Sequence, residues 1–520
     1  MRKVISAKVA SQLIKDNDTV ALNGFAYGFG FAEGLAKELG KRYEEEQQPQ
    51  NLTLLFGSGC GDNGKSDFGL DHFAKDGMVK RIVGGHMGLA KKLSNMINEN
   101  KIEAYNFPQG VVTHLFREIA GGKSGVLTHV GLQTFADPRV EGGKMNEKTV
   151  EDLVEVVQIG GKEQLLYHSM PIQVALIRGT RGDEFGNITL EKEGVYLETL
   201  HIAQATKNSG GIVIAQVEQL VQHGSLNVRE IEIPGMLVDY VVKAEPQDHK
   251  LNAGVLYDPS YTGEAVIPVE EIEPMKMSPR KIISKRCAME LEKGMILNLG
   301  IGMPEGVASV ALEEGISDWT TMTIEAGSIG GVPGSGTNLG GATNVEVIIG
   351  QPNMFDFYDG GGLDIAFLGL AQADQQGNIN VSKFNGRMMG CGGFVNITQN
   401  TKRVVFCGTF TAGKSDIQVA DGKLDIRQDG MYKKFVKQVE QITFSGQYAN
   451  EVGQEVLYIT ERAVFRLTKM GMELIEIAPG IDLQRDILDK MDFIPVISKQ
   501  VKEMEHSIFK DENMGLKNRK

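Results

Sequence analysis

Membrane spans, disulfides and metal ligands are what this sequence lacks first. It has no apolar run of about 18 residues, the least a transmembrane helix needs, so no span is expected. Cysteine is scarce: Cys60, Cys287, Cys391 and Cys407 lie far apart among 520 residues, with no CxxC pair. That spacing argues against a disulfide framework or a structural zinc site and fits a reducing compartment, so a cytoplasmic location is expected. The nine histidines form no ligand spacing, so no metal is expected either. Positive charge is in deficit. A net charge of −13 argues against nucleic acid or an anionic membrane surface as the main partner. Met1 to Ser6 has no long apolar region behind its charges, so no secretory leader is expected. No Ser-His-Asp or Cys-His set stands out as a source of a conventional nucleophile.

What is present is a long chain of alternating pattern. At 520 residues it is too long for one core, and two large domains are expected. Ser6 reads as the N-cap of a short helix, and 18–25 as a strand entering a loop. A helix over 31–43 follows, then Leu52 to Phe56 as a buried strand ending in Gly57-Ser58-Gly59. Lys80 to His86 repeats the strand-then-glycine theme, and Tyr105 to Gly110 leads into a helix from about Val111 to Ala120. Strands alternating with helices predict parallel α/β units.

The chain also repeats itself. Residues 174–192 match 365–383 at a constant offset of 191, with Ala175/Ala366, Asp183/Asp374, Gly186/Gly377, Asn187/Asn378, Ile188/Ile379 and Lys192/Lys383 identical. Each copy reads as a strand, an Asp-x-x-Gly-Asn turn and another strand. Leu22-Asn23-Gly24 has an echo in Leu297-Asn298-Leu299-Gly300. The fold class expected is therefore α/β, with two similar open α/β domains arising by internal duplication and the active site in the cleft between them. The boundaries expected are 1–243, a Pro-rich irregular linker over 244–277, and 278–520. The basic tail from Ser507 to Lys520 reads as a loosely held end.

The most informative stretch is Thr321 to Gly331. An apolar, β-branched run feeds into Glu325, and seven glycines then fall among the fifteen residues from Gly327 to Gly341. An acid at the carboxyl end of a buried strand is costly unless paired or used, and such strand ends are where α/β proteins place their chemistry. Glycines let backbone amides approach a ligand closely. The plainer reading is a solvated acid before a mobile loop. By the repeat, the first-half counterpart of Ile324-Glu325-Ala326-Gly327 is Phe56-Gly57-Ser58-Gly59, which has glycines and no acid. One reactive carboxylate per chain is expected.

Several segments resemble family I CoA-transferases, in particular propionate and acetate CoA-transferases with both halves fused in one chain. They are the Glu-x-Gly-x-x-Gly segment at Glu325, Asn-x-Gly-x-Gly-x-Pro-Glu at Asn298 to Glu305, Gly360 to Asp364, Met389 to Phe394, and Tyr105 to Gly110. Phe406 to Gly413, Tyr458 to Arg462 and Glu476 to Gly480 extend the resemblance over nearly the whole chain. It implies that Glu325 is the nucleophile, attacking an acyl-CoA thioester and then carrying CoA as a glutamyl thioester, with ping-pong kinetics. It implies the side chain of Gln109 and the backbone N–H of Gly393 as oxyanion donors. Asn298, Gly300, Gly302, Pro304, Gly327, Gly361 and Gly392 are the candidates for holding CoA. The family's acid-pocket loop corresponds to Asn23, Gly24 and Phe25. Here that loop is unusually aromatic, with Phe25, Tyr27, Phe29 and Phe31 as expected pocket or lid residues, and Ala32 stands where a proline is usual.

The co-substrates implied are acyl-CoA and short-chain carboxylic acids such as acetate or propionate. CoA acts as a co-substrate with no permanently bound cofactor, and a homo-oligomer, a dimer or tetramer, is implied. Each motif has a plainer reading. Gln109 also reads as a helix cap, and the Asn298 to Pro304 glycines as packing residues. Gly360 to Gly362 reads as a tight turn, His86 as structural, and Cys391 as a small loop residue. Two other functions stay open. One is an acyl-CoA hydrolase, in which water intercepts the glutamyl intermediate. The other is a catalytically silent acyl-CoA-binding protein.

Overall fold

The structure is a computed structural model, described for residues 3–268, 274–420 and 422–519. The chain forms two compact units. The first contains 1–267, 324–356 and 386–396; the second contains 268–323, 357–385 and 397–520. Packing thus regroups the sequence: two segments from the C-terminal half, including Glu325, belong to the first unit.

The first unit is built on a sheet of parallel strands: β1 (Thr19–Leu22), β2 (Leu52–Phe56), β3 (Val79–Gly84), β4 (Glu103–Asn106), β5 (Val174–Asp183), β6 (Ile212–Val221) and β7 (Tyr240–Lys243). Their order is β7-β6-β5-β1-β2-β3-β4. β2 is buried at every residue, as a central parallel strand covered on both faces must be. Helix α1 (Glu33–Glu46) lays Leu35, Leu39 and Tyr43 on the sheet, and α2 (Gln109–Ala120) and α3 (Thr199–Asn208) join the other crossovers. Ser6 caps its short helix by accepting from the Val9 N–H at 3.3 Å. The expected helix at 111–120 starts two residues earlier, at Gln109.

The second unit repeats the plan with β8 (Met295–Leu299), β9 (Thr320–Thr323), β10 (Ile365–Gly369), β11 (Arg403–Cys407) and β12 (Glu455–Ile459), parallel in the order β9-β8-β10-β11-β12. β13 (Ala463–Thr468) and β14 (Gly471–Ile477) extend it antiparallel. Helices α4 (Pro279–Ala288) and α5 (Gly306–Glu313) cover its core of Ile282, Leu297, Phe367 and Val405. Two further helices, α6 (Gln351–Asp359) and α7 (Phe394–Asn400), begin within the two segments that pack with the first unit.

The order β2-β1-β5-β6-β7 in one unit is the order β9-β8-β10-β11-β12 in the other. The repeated turns are alike to the hydrogen bond. Asp183 accepts from the N–H groups of Phe185 and Asn187 and from Asn187 Nδ2, and Asp374 accepts from those of Gln376 and Asn378 and from Asn378 Nδ2. Sheet register corrects one detail of the repeat. Ala21 pairs with Ala175, and Asn298 pairs with Ala366, so Asn298 corresponds to Ala21 and not to Asn23. The Leu-Asn echo is two residues out of register. Continuing outward, Leu55 beside Ala21 matches Thr323 beside Asn298, so Gly57 does correspond to Glu325.

Of the expected linker, 269–273 fall outside the described residues. Its earlier part is packed, with Leu251 and Tyr261 buried. The C-terminal tail is not loose. Ile508, Phe509, Met514 and Leu516 are buried in the second core, and Lys285 Nζ donates to the carbonyls of Lys510 and Glu512. Its apolar residues, spaced among the charges, outweigh the basic composition.

Candidate functional site

Glu325 lies two residues past the end of β9 and is half-buried. Its Oε1 is 3.2 Å from where a Cβ on Gly393 would stand. A side chain at 393 would crowd the carboxylate, and glycine leaves room for its close approach. The segment carrying Gly393 is tied to the first unit's strand ends by backbone: Gln109 N–H donates to the Gly392 carbonyl at 3.0 Å, and Gly392 N–H to the Gly85 carbonyl at 2.9 Å. Gln109, at the start of α2, therefore stands beside Gly392 and Gly393. Gly110 is packed against Asn396 and Phe355, and its N–H donates to Asn396 Oδ1 at 3.0 Å.

Gln109 is 1% exposed, and its Nε2 finds no hydrogen-bond partner. A buried amide donor left unpaired is costly, and such groups call for a ligand or a catalytic role. Gln109 is not a helix cap, since the cap position is Pro108 and carries no side-chain bond.

Gly327 has φ +115°, and a Cβ there would meet the Ile349 carbonyl at 2.0 Å, so the turn after Glu325 admits glycine alone. The wall behind Glu325 is apolar. Phe25, Ala26, Phe29, Val195, Leu197, Leu251, Tyr261 and Ala326 form one cluster, with Tyr27, Ile324 and Leu339 against it. The aromatic loop thus packs on the two residues that flank Glu325. Phe29 and Phe31 are fully buried, so they are core residues and not a lid. Asn23 donates to Thr199 Oγ1 at 2.5 Å, leaving its Oδ1 unpaired, and Gly24 is held tight by Cys60 and Phe31.

Asn298, Gly300, Gly302, Pro304 and Gly361 belong to the second unit. Asn298 donates to the Thr323 carbonyl at 3.2 Å, and its Oδ1 is unpaired. Gly300 is tight: its N–H donates to the Phe367 carbonyl, and a Cβ would meet Leu368 at 2.9 Å. Gly302, at φ +83°, opens onto free space and leads into a turn that begins Met303-Pro304. Gly361 has φ +84° with only the Asn400 carbonyl within 4 Å.

Rival nucleophiles fall away. Cys391 is buried, and burial pushes its thiol well up, out of thiolate range. Burial lowers His86 to about 4, which leaves it neutral. Among the described residues no group of three His, Cys, Asp or Glu side chains could hold a metal, and no helix is long and apolar enough to cross a membrane.

Three polar side chains passed over in the sequence also stand here with unpaired atoms: Glu198, Ser328 and Gln351. Glu198 reads in sequence as an acid at a helix start, where it favours the dipole. The one hint is that it occupies an N-cap, a position preferring shorter side chains, and makes no cap bond.

A family profile described as Coenzyme A transferase matches residues 4–244. The chain is 48% identical over 99% of its length to caffeate CoA-transferase of Acetobacterium woodii, covering 99% of that protein. It is 43% identical over 98% of its length to acetate CoA-transferase YdiF of Escherichia coli O157:H7, covering 96% of it. The chain belongs to the coenzyme A transferase family. A crystal structure of the acyl-CoA transferase YdiF from that organism, in a thioester complex with CoA, matches this transferase with a TM-score of 0.93 at 42% identity, over 99% of this chain and 97% of that one. The two-unit α/β architecture is thus that of a known CoA-transferase, and this protein is an enzyme that transfers CoA.

Proposed function

We propose that the transferase moves CoA between a short-chain acyl-CoA and a free carboxylate such as acetate or propionate, by ping-pong kinetics through a thioester on Glu325. The Glu325 carboxylate attacks the thioester carbonyl, the C–S bond breaks, and CoA leaves as thiolate with a mixed acyl-glutamyl anhydride behind it. The thiolate then attacks the glutamyl carbonyl and expels the first acid as its carboxylate. A second carboxylate reverses both steps and departs as acyl-CoA. No general base is needed, because a carboxylate is already ionised at neutral pH. Each tetrahedral step places charge on a carbonyl oxygen, which Gln109 Nε2 and the Gly393 N–H are proposed to stabilise.

The observation that carries this reading is the close approach of Glu325 to Gly393, where an added Cβ would lie 3.2 Å from Glu325 Oε1, beside a buried amide with no partner. Asn298, Gly300, Gly302, Pro304, Gly327, Gly361 and Gly392 are proposed to hold CoA, with Gly302 the most open to a ligand. Asn23, Gly24 and Phe25 are proposed to bound the acid pocket. Residues 1–243 and 278–520 are proposed as the duplicated halves, and a dimer or tetramer as the assembly, which light scattering measures.

Incubation with acetyl-CoA and no acceptor tests the mechanism. CoA should become attached to the peptide bearing Glu325, and hydroxylamine should convert that glutamate to a hydroxamate. A modification mapping to any other residue sinks the proposal. A second substrate range, aromatic acrylic acids, is favoured by the 48% identity to a caffeate enzyme and the aromatic wall behind Glu325. An acceptor screen of linear, branched, hydroxy and aryl acids separates the two.

A further inference from the structure

Close contacts form a ring at the carboxyl ends of β2 to β4. From Glu325 it runs to Gly393 and Gly392, then to Gln109. A Cβ on Gly85 would lie 3.0 Å from Gln109 Cα and Cβ, and Gly85 N–H donates to the Gly57 carbonyl at 3.0 Å. A Cβ on Gly57 would lie 2.7 Å from Glu198 Oε1. The ring returns through the Leu197 carbonyl, which accepts from Gln351 N–H at 3.0 Å, and through Ile349 N–H, which donates to Gly327 at 2.9 Å. Every member belongs to the first unit. On this one ring, Gln109 Nε2, Glu198 Oε2 and both side-chain atoms of Gln351 are buried without a partner. Unpaired polar atoms gathered in one place indicate a polar guest.

Glu198 is singular among them. Its position is set by Gly57, the residue that corresponds to Glu325 in the repeat, so the first unit also brings a carboxyl to that strand end, by way of a helix. The N–H groups of Gly57 and of Glu198 itself donate to it, and Oε2 is left over. We infer that Glu198 is a specificity residue of the acid pocket: its neutral carboxyl donates through Oε2–H to the carboxylate of the incoming acid. The inference rests on the reading of Glu325 as the carrier of CoA.

The electrostatics agree. Burial pushes Glu198 up to about 8, opposed only by the two backbone donors. The ionisable groups on the elements around it are His114, Arg117 and Glu118 on α2, His201 and Lys207 on α3, Asp356, Tyr358 and Asp359 on α6, His86 after β3 and Glu325. His114 and Arg117 are both engaged with Asp356, and none enters the Glu198 shift. Below about 8 the group donates; above it the group ionises and repels a carboxylate.

The test compares wild type, Glu198→Gln and Glu198→Ala, with acetyl-CoA as donor and propionate as acceptor, between pH 6 and 10. In wild type the acceptor KM should rise with pH above about 8. Glu198→Gln keeps a neutral donor, so its KM should stay within about threefold of wild type at pH 7 and lose the alkaline rise. Glu198→Ala should raise the acceptor KM roughly tenfold or more, the loss of one hydrogen bond to a charged group. It should still load CoA onto Glu325 from acetyl-CoA alone. An unchanged acceptor KM in Glu198→Ala, or an alkaline rise persisting in Glu198→Gln, overturns the inference. If the alanine variant does not fold, the Gln profile alone decides. Failure of wild type to load CoA on Glu325 overturns the mechanism instead, and is read by mass and not by KM.

Discussion

Two strand ends in register-equivalent positions, one after β9 and one after β2, meet opposite fates. After β9 the chain itself supplies a carboxyl, Glu325, half-buried and held against a glycine. After β2 it supplies Gly57, and the carboxyl that arrives comes from Glu198 at the start of α3, fully buried and raised to about 8. One fold plan thus sets two carboxyls in different environments, and environment decides whether an acid attacks or donates.

The largest effect expected breaks the first end. Freshly prepared Glu325→Gln should lose transfer by at least about 10⁴-fold, because a neutral amide is a poor nucleophile. Steady-state assay checks this; wild-type turnover in the fresh variant removes the distinction between the ends. Next, Gln109→Ala should lower kcat by about 10²–10³ with little change in KM, as deletion of one oxyanion donor does. A raised KM with normal kcat would assign Gln109 to binding.

Gly57→Ala sharpens the second end. Its Cβ would lie 2.7 Å from Glu198 Oε1 and 2.9 Å from Thr113 Cγ2. Overpacking of this kind should cost about 1–3 kcal/mol in denaturant unfolding. Loss of acid affinity greater than loss of stability would tie the position to the pocket. The smallest effect is expected at the wall shared by both. Tyr27→Ala should shift the kcat/KM ratio between short and longer acids by a graded amount, since one methylene in an apolar pocket is worth about 1–3 kcal/mol. An unchanged acid profile would place the loop outside the pocket.

Much of this is legible in the sequence. The 191-residue offset and the Asp-x-x-Gly-Asn turns describe local structure, and local structure follows local sequence. The correspondence of Gly57 with Glu325 held because buried strands keep their register. The Asn23/Asn298 echo failed because two similar residues in a short window do not fix register, whereas sheet pairing does. The tail at 507–520 reads as loose from its charge, while its order depends on four apolar side chains finding a core. Phe29 and Phe31 read as pocket or lid residues from the loop's aromatic density, yet both are buried, because exposure is not written in a loop's composition.

By itself the sequence determined the α/β plan, the duplication and the candidacy of Glu325, since periodicity, repeat spacing and a lone acid before glycines are all properties of neighbours along the chain. Only the tertiary structure decided that 324–356 and 386–396 pack with the first unit, and that Gln109, Glu198 and Gln351 meet there with unpaired atoms. Burial and the absence of a hydrogen-bond partner are relations between residues far apart in sequence, and they exist only once the strand ends have been brought side by side.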